Sequence, residues 1–139
     1  MNLTRRHGLA LGLGAAAALM LPVRAARAAV EDAVSAFTGG AEVGSDGITL
    51  SAPEIAENGN TVPIEVSAPG AVSIIILAAG NPNPDVATFN FGPLAGAHMA
   101  ATRMRLAGTQ DVIAIAKMAD GSFVQATKNV KVTIGGCGG

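Results

Sequence analysis

The chain has no Trp, no Tyr and four Phe among 139 residues. Its core must therefore be built from Ala, Val, Ile and Leu, and it lacks the aromatic platforms on which single-stranded nucleic acids stack. Positive charge is scarce where a partner would meet it. Of nine Lys and Arg, Arg5, Arg6, Arg24 and Arg27 lie in the first 28 residues, which hold no acid, so the rest carries five cations against ten anions. An acidic body without a basic stripe excludes a nucleic-acid partner. Metal chemistry is poorly provided for. His98 is the one histidine beyond the N-terminal stretch, and no Cys or His spacing matches a zinc site. His98-Met99 with Met104 has the softness of a copper set, but strand alternation turns Met99 away from His98. No serine sits in a nucleophile elbow, and no glycine loop joins a strand to a helix. The expectation is no self-contained active site, no metal and no cofactor.

One cysteine is present, and it stands in a run of glycines, Gly135-Gly136-Cys137-Gly138-Gly139. These glycines have no side chains to pack and wide backbone freedom, so residues 135–139 are expected to form a flexible arm outside the core. Five extended residues span at most about 17 Å, enough to carry the thiol off its own surface into another protein's pocket. Two other readings compete. An unpaired cysteine in an exported chain can lock an intermolecular disulfide, which would make the chain a structural module. A single-cysteine sulfurtransferase would need a cation or histidine held near Cys137 to lower the thiol pKa, and the arm itself supplies neither. Prenylation does not fit, because Cys137 is followed by two glycines rather than by aliphatic residues.

Residues 1–28 read as a cleaved export signal: Arg5-Arg6, an apolar stretch from Leu9 to Leu21, and a small-residue end at Ala26-Arg27-Ala28. The paired arginines point to the twin-arginine route, although His7-Gly8 departs from the usual residues after the pair. The apolar stretch is short for a membrane span and ends at Pro22. A periplasmic protein, not membrane-bound after cleavage, is expected. In that oxidising compartment Cys137 must be either joined to another molecule or kept as a working thiol.

Residues 29–134 are expected to form one domain. Val30, Ala33, Val34 and Phe37 recur at helical spacing, with Gly39-Gly40 ending a short helix over 29–37. Ile48-Thr49-Leu50 reads as a short strand, and Asn58-Gly59 as a tight turn through positive φ. From Thr61 to Ala68 the sequence alternates, with Val62, Ile64 and Val66 inward and Pro63 suiting an edge or irregular position. The run Val72 to Ala79 is the most hydrophobic of the domain and predicts a central strand covered on both faces. Two prolines make 80–85 a loop, and 86–94 is read as irregular. His98 to Leu106 alternates again, with Arg103 and Arg105 on the wet face. Asp111–Ala119 and Ser122–Ile134 form a hairpin through a type I′ turn at Asp120-Gly121. Its second strand turns Val124, Ala126, Val130, Val132 and Ile134 inward, with a bulge or an exposed stretch at Lys128. The sum is a mainly β fold, an antiparallel Immunoglobulin-like β-sandwich with a short N-terminal helix. One sheet face is expected to be apolar and covered by a second subunit.

The glycine-flanked Cys137, the twin-arginine leader and the segment Ile55-Ala56-Glu57-Asn58-Gly59-Asn60-Thr61-Val62-Pro63 together resemble the SoxY family, the sulfur carriers of bacterial thiosulfate oxidation. The resemblance implies a carrier rather than an enzyme. Thiosulfate would be joined oxidatively to the Cys137 thiol by a c-type haem enzyme, a dimanganese hydrolase would release sulfate, and a molybdenum and haem sulfane dehydrogenase would oxidise the remaining sulfur. It also implies a heterodimer with a SoxZ-like subunit exported on the same leader. Gly135, Gly136, Gly138 and Gly139 carry over as the bare flanks of the arm.

Overall fold

The computed structural model describes residues 24–134. A helix, α1, covers residues 24–38, longer at its start than the apolar spacing of 29–37 implied. Its end is as expected: Gly39 and Gly40 take φ of 64° and 82°, a left-handed exit that glycine adopts without a Cβ penalty. Nine strands follow: β1 (Val43–Gly44), β2 (Thr49–Ser51), β3 (Ile55–Ala56), β4 (Val62–Ser67), β5 (Ala71–Ala78), β6 (Asp85–Asn90), β7 (Met99–Met104), β8 (Gln110–Met118) and β9 (Phe123–Val132). The larger sheet runs β1-β9-β8-β5-β6, with β3 also beside β9, and the smaller runs β2-β4-β7. The expected sandwich forms, and its long strands pair antiparallel. In addition β1 and β3 join β9 as two-residue parallel ladders, one near each end of it.

The central strand explains the layering. Every second residue of β5 faces the sandwich interior, where Ile74, Ile76 and Ala78 meet Val112, Ala114 and Val130 of the same sheet and Leu50, Val62, Ile64, Val66 and Leu106 opposite. The alternate residues Ile75 and Leu77 join Ile115 and Phe123 on the other face, beneath Val30, Ala33, Val34 and Phe37 of α1. Phe37 meets Phe123 edge to face, ring centroids 5.8 Å apart, a favoured aromatic geometry. The apolar outer face of the larger sheet is therefore covered by this chain's own helix. Among the described residues no helix is long and apolar enough to cross a membrane.

Several local expectations are corrected. Residues 85–90 are a strand, not irregular: β6 pairs β5 through Ile74↔Phe89 and Ile75↔Thr88, so a long-range ladder orders a segment with little pattern of its own. The β8–β9 register runs unbroken past Lys128, so no bulge occurs and 127–129 is the exposed stretch. Ile134 is 68% exposed rather than inward. Pro63 belongs to the middle strand of the smaller sheet, but β2 pairs β4 only from Glu65 to Ser67, so Pro63 has a ladder on one side only and its missing donor is tolerated.

The hairpin turn also differs. Asp120 does not take positive φ while Gly121 does, at 86°. The Gly121 amide donates to Met118 O at 3.0 Å and the Met118 amide to Ser122 O at 2.8 Å. This is a three-residue loop with glycine in the left-handed position rather than a type I′ turn. Asp120 Oδ1 accepts from the Ser122 hydroxyl at 2.6 Å and the Ser122 amide at 2.9 Å. These bonds, the hydroxyl's first, hold the Asp120 carboxyl below its usual pKa. A carboxylate depressed on folding adds stability above its unfolded pKa and loses it as pH falls through the folded value. In an NMR titration Asp120 is expected to protonate below an ordinary aspartate, and Ser122→Ala to move its midpoint upward. An unchanged midpoint in that variant contradicts the assignment.

Candidate functional site

β5 and β9 run in the same direction along the larger sheet, each antiparallel to β8 between them, and β9 ends at Val132, five residues before Cys137 in the sequence. Cys137 with Gly135, Gly136, Gly138 and Gly139, and Arg5 with Arg6, lie outside the described residues. What the structure shows is the root from which the cysteine-bearing segment departs, and each residue of that root is held. The Lys131 amide donates to Glu54 O at 2.9 Å and the Thr133 amide to Ala56 O at 3.0 Å. Between them, the Val132 amide donates to Thr109 Oγ1 at 3.0 Å. Ile134 O accepts from the Gly59 amide at 2.8 Å. The Thr133 hydroxyl adds a bond to Glu57 O at 3.3 Å.

The segment that makes these contacts, 54–59, lies within the Ile55–Pro63 stretch and the residue before it, so the two sequence features that stood far apart in the chain meet here. Asn58-Gly59 does turn the chain, but neither residue takes positive φ. Instead Asn58 Oδ1 accepts from the Asn60 amide at 3.0 Å, a side chain standing in for a backbone turn. Gly59 is buried, and its carbonyl accepts from the Leu106 amide at 2.7 Å.

Thr109 sits on the loop between β7 and β8, and a buried polar pair holds that loop. Asn81 Oδ1 accepts from the Ala107 amide and from Gln110 Nε2, each at 2.9 Å, while Asn81 Nδ2 donates to Arg105 O at 2.8 Å. Gln110 Oε1 accepts from the Gly80 amide at 2.8 Å. Glycine is required at position 80, because a Cβ there would lie 2.8 Å from Gln110 Cβ. Among the described residues no buried side-chain polar atom lacks a partner.

Nothing in the root resembles catalytic machinery. Charges of both signs surround it, Glu54, Glu57, Arg105 and Lys131, all exposed, and among the described residues no three His, Cys, Asp or Glu cluster as metal ligands. His98 is used structurally: its ring stacks on Phe91 with centroids 5.4 Å apart, and Nδ1 donates to Ala71 O. Met104 is buried and Met99 half-exposed, so the His98, Met99 and Met104 grouping is not assembled. An open groove of about 670 Å³ on the smaller sheet, lined by Ser51, Pro53, Pro63, Glu65, Thr102 and Arg103 among others, brings together one acid, one base and two hydroxyls.

Sequence reasoning found the cysteine and the Ile55–Pro63 stretch but missed Thr109, Asn81 and Gln110. A lone Thr between Gly108 and Gln110, and an Asn among loop prolines, carry no signal of the partners that the fold brings to them.

Residues 34–137 match the family model described as sulfur oxidation protein SoxY, and the match ends on Cys137 itself. The chain is similar to the sulfur carrier protein SoxY from Chlorobium limicola f. thiosulfatophilum, at 36% identity over 77% of this chain and 98% of that one, with a TM-score of 0.67. Superoxide reductase (neelaredoxin) from Ignicoccus hospitalis shares 21% identity over 61% of this chain and 79% of its own, TM-score 0.54. A putative superoxide reductase from Thermotoga maritima shares 16% over 69% and 89%, TM-score 0.51. These two likenesses show the sandwich fold alone. No curated protein sequence matches the chain.

Proposed function

The chain belongs to the SoxY family of sulfur oxidation proteins, and from that membership we propose that it carries thiosulfate-derived sulfur covalently on the thiol of Cys137 and presents it to partner enzymes. The observation that carries this reading is the held root beside the cysteine-bearing segment. Hydrogen bonds hold the backbone through Ile134, and the one cysteine follows three residues later among glycines. The bare glycine flanks would let such a thiol reach outward from a fixed base, and the charged side chains at the root, Glu54, Glu57, Arg105 and Lys131, are exposed to solvent rather than buried as an activating pair would be. Activation then falls to whichever protein receives the segment.

The rest of the proposal follows the family. Arg5-Arg6 would direct export to the periplasm. A SoxZ-like subunit would complete a heterodimer, and a c-type haem thiosulfate-conjugating enzyme, a dimanganese sulfate-releasing hydrolase and a sulfane dehydrogenase would act in turn on the cargo. With its apolar outer sheet face already covered by α1, the partner subunit would use another surface.

Passage into partner pockets tests this reading. Replacing Gly136 or Gly138 by Val adds a branched side chain beside the thiol and restricts φ and ψ. Thiosulfate turnover with the reconstituted partners is expected to fall at least tenfold, roughly the cost of one misplaced reacting group, while alkylation of Cys137 by iodoacetamide continues at the wild-type rate. Full turnover by both variants contradicts a role for the bare flanks in passage.

A further inference from the structure

The hydrogen bonds at the root close into a ring. Ile134 O is bonded to the Gly59 amide, Gly59 O to the Leu106 amide, and the chain from Leu106 leads to Thr109, whose hydroxyl takes the Val132 amide and so returns to β9. The two sides of this ring come from segments about 50 residues apart in sequence, and neither lies in the cysteine-bearing stretch. We infer that Thr109 and Gly59 are the two jaws of a clamp that sets the pivot of the carrying arm at Ile134, with Thr109 acting as a positioning residue for sulfur loading.

Thr109 is exposed, so it contributes little to the core. Its hydroxyl supplies the acceptor for Val132 at the point where β9 has lost its β8 partner, since the β8–β9 ladder ends at Gln110↔Val130. Without that acceptor, residues 132–134 depend on β3 and Gly59 alone. The buried Asn81–Gln110 pair keeps the Thr109 jaw in position by tying residues 105, 107 and 110 to the loop after β5.

The consequence is a defined tether length. With the clamp closed, Cys137 lies three residues beyond Ile134, and with 132–134 released it lies six beyond Lys131. Doubling a flexible tether lowers the local concentration of its end roughly threefold, by the −3/2 power of length. The clamp thus keeps the thiol near the depth at which a partner pocket receives it. The functional half of this inference rests on the carrier reading, whereas the clamp itself rests on the geometry of the root.

The test uses the full chain in its wild-type form and as Thr109→Val and Thr109→Ser. Amide hydrogen exchange at 132–134 is expected to rise roughly fivefold in Thr109→Val, the opening factor of one lost hydrogen bond, and to stay near wild type in Thr109→Ser, which keeps the hydroxyl. The thermal midpoint of Thr109→Val should fall by no more than the few degrees that one exposed hydrogen bond is worth, with Thr109→Ser near wild type. With the thiosulfate-conjugating partner, loading by Thr109→Val should fall by up to about threefold, the limit for full release of 132–134, and Thr109→Ser should restore the loss. Unchanged exchange in Thr109→Val overturns the clamp. Faster exchange with unchanged loading overturns the positioning role. If wild-type Cys137 takes up no sulfur, the carrier reading fails instead, and the exchange result alone decides the clamp.

Discussion

Cys137→Ser is expected to abolish sulfur loading while leaving the fold as stable as before. Serine keeps the shape of the side chain but replaces the sulfur, and an alcohol cannot form the sulfur–sulfur bond through which the cargo would be held. Position 137 follows three residues after Ile134, which is itself 68% exposed. With residues 135–139 expected to lie outside the core, the change should remove no contact from the two clusters that hold the sandwich, whose described members lie between 30 and 132. Stability should shift by no more than about 0.5 kcal/mol, the usual range for surface substitutions. Denaturant midpoints would coincide while thiosulfate turnover falls to background. Residual turnover near wild type would mean that the sulfur is carried elsewhere.

The second large effect falls on stability. Asn81→Leu keeps the number and branching of side-chain heavy atoms but removes the groups that accept from the Ala107 amide and Gln110 Nε2 and donate to Arg105 O. Each buried polar group left without a partner costs about 1–3 kcal/mol. Gln110 keeps its bonds to the Gly80 amide and Gly108 O, so the loss should be about 3 kcal/mol rather than the sum of all the groups. Against a total of roughly 5–15 kcal/mol for a domain, that is a large fraction. Urea unfolding should show a lower midpoint at unchanged slope, and amides 106–109 should lose protection before the β5–β8 ladder does. A midpoint equal to wild type would show that the network contributes no net stability.

Where the sequence carried strong local pattern, the fold was legible from it. The hydrophobic run ending at Ala79 could only be a strand covered on both faces, because both of its alternating sets are apolar. The Val30, Ala33, Val34 and Phe37 spacing likewise identified the helix face, although nothing in it told that this face would seal the outer side of the same strand. The failures share a cause. β6 is ordered by pairing with β5, a contact that no local periodicity announces. Asp-Gly suits more than one hairpin geometry, and only the bonds at Met118 and Ser122 select the three-residue loop. Asn58-Gly59 suggests a positive-φ backbone turn, whereas the turn is made by the Asn58 side chain. At the root, the cysteine was conspicuous by composition, whereas Thr109 matters only through a neighbour 23 residues away in sequence.

The claim that Cys137 is a sulfur-bearing thiol is tested most directly by intact mass spectrometry of the chain after incubation with thiosulfate and its conjugating partner, before and after a thiol reductant. The account predicts one added group, confined to the peptide containing Cys137, removed by the reductant and missing from Cys137→Ser. A wild-type chain that stays at its unmodified mass while the system consumes thiosulfate, or a group that persists in Cys137→Ser, would contradict it.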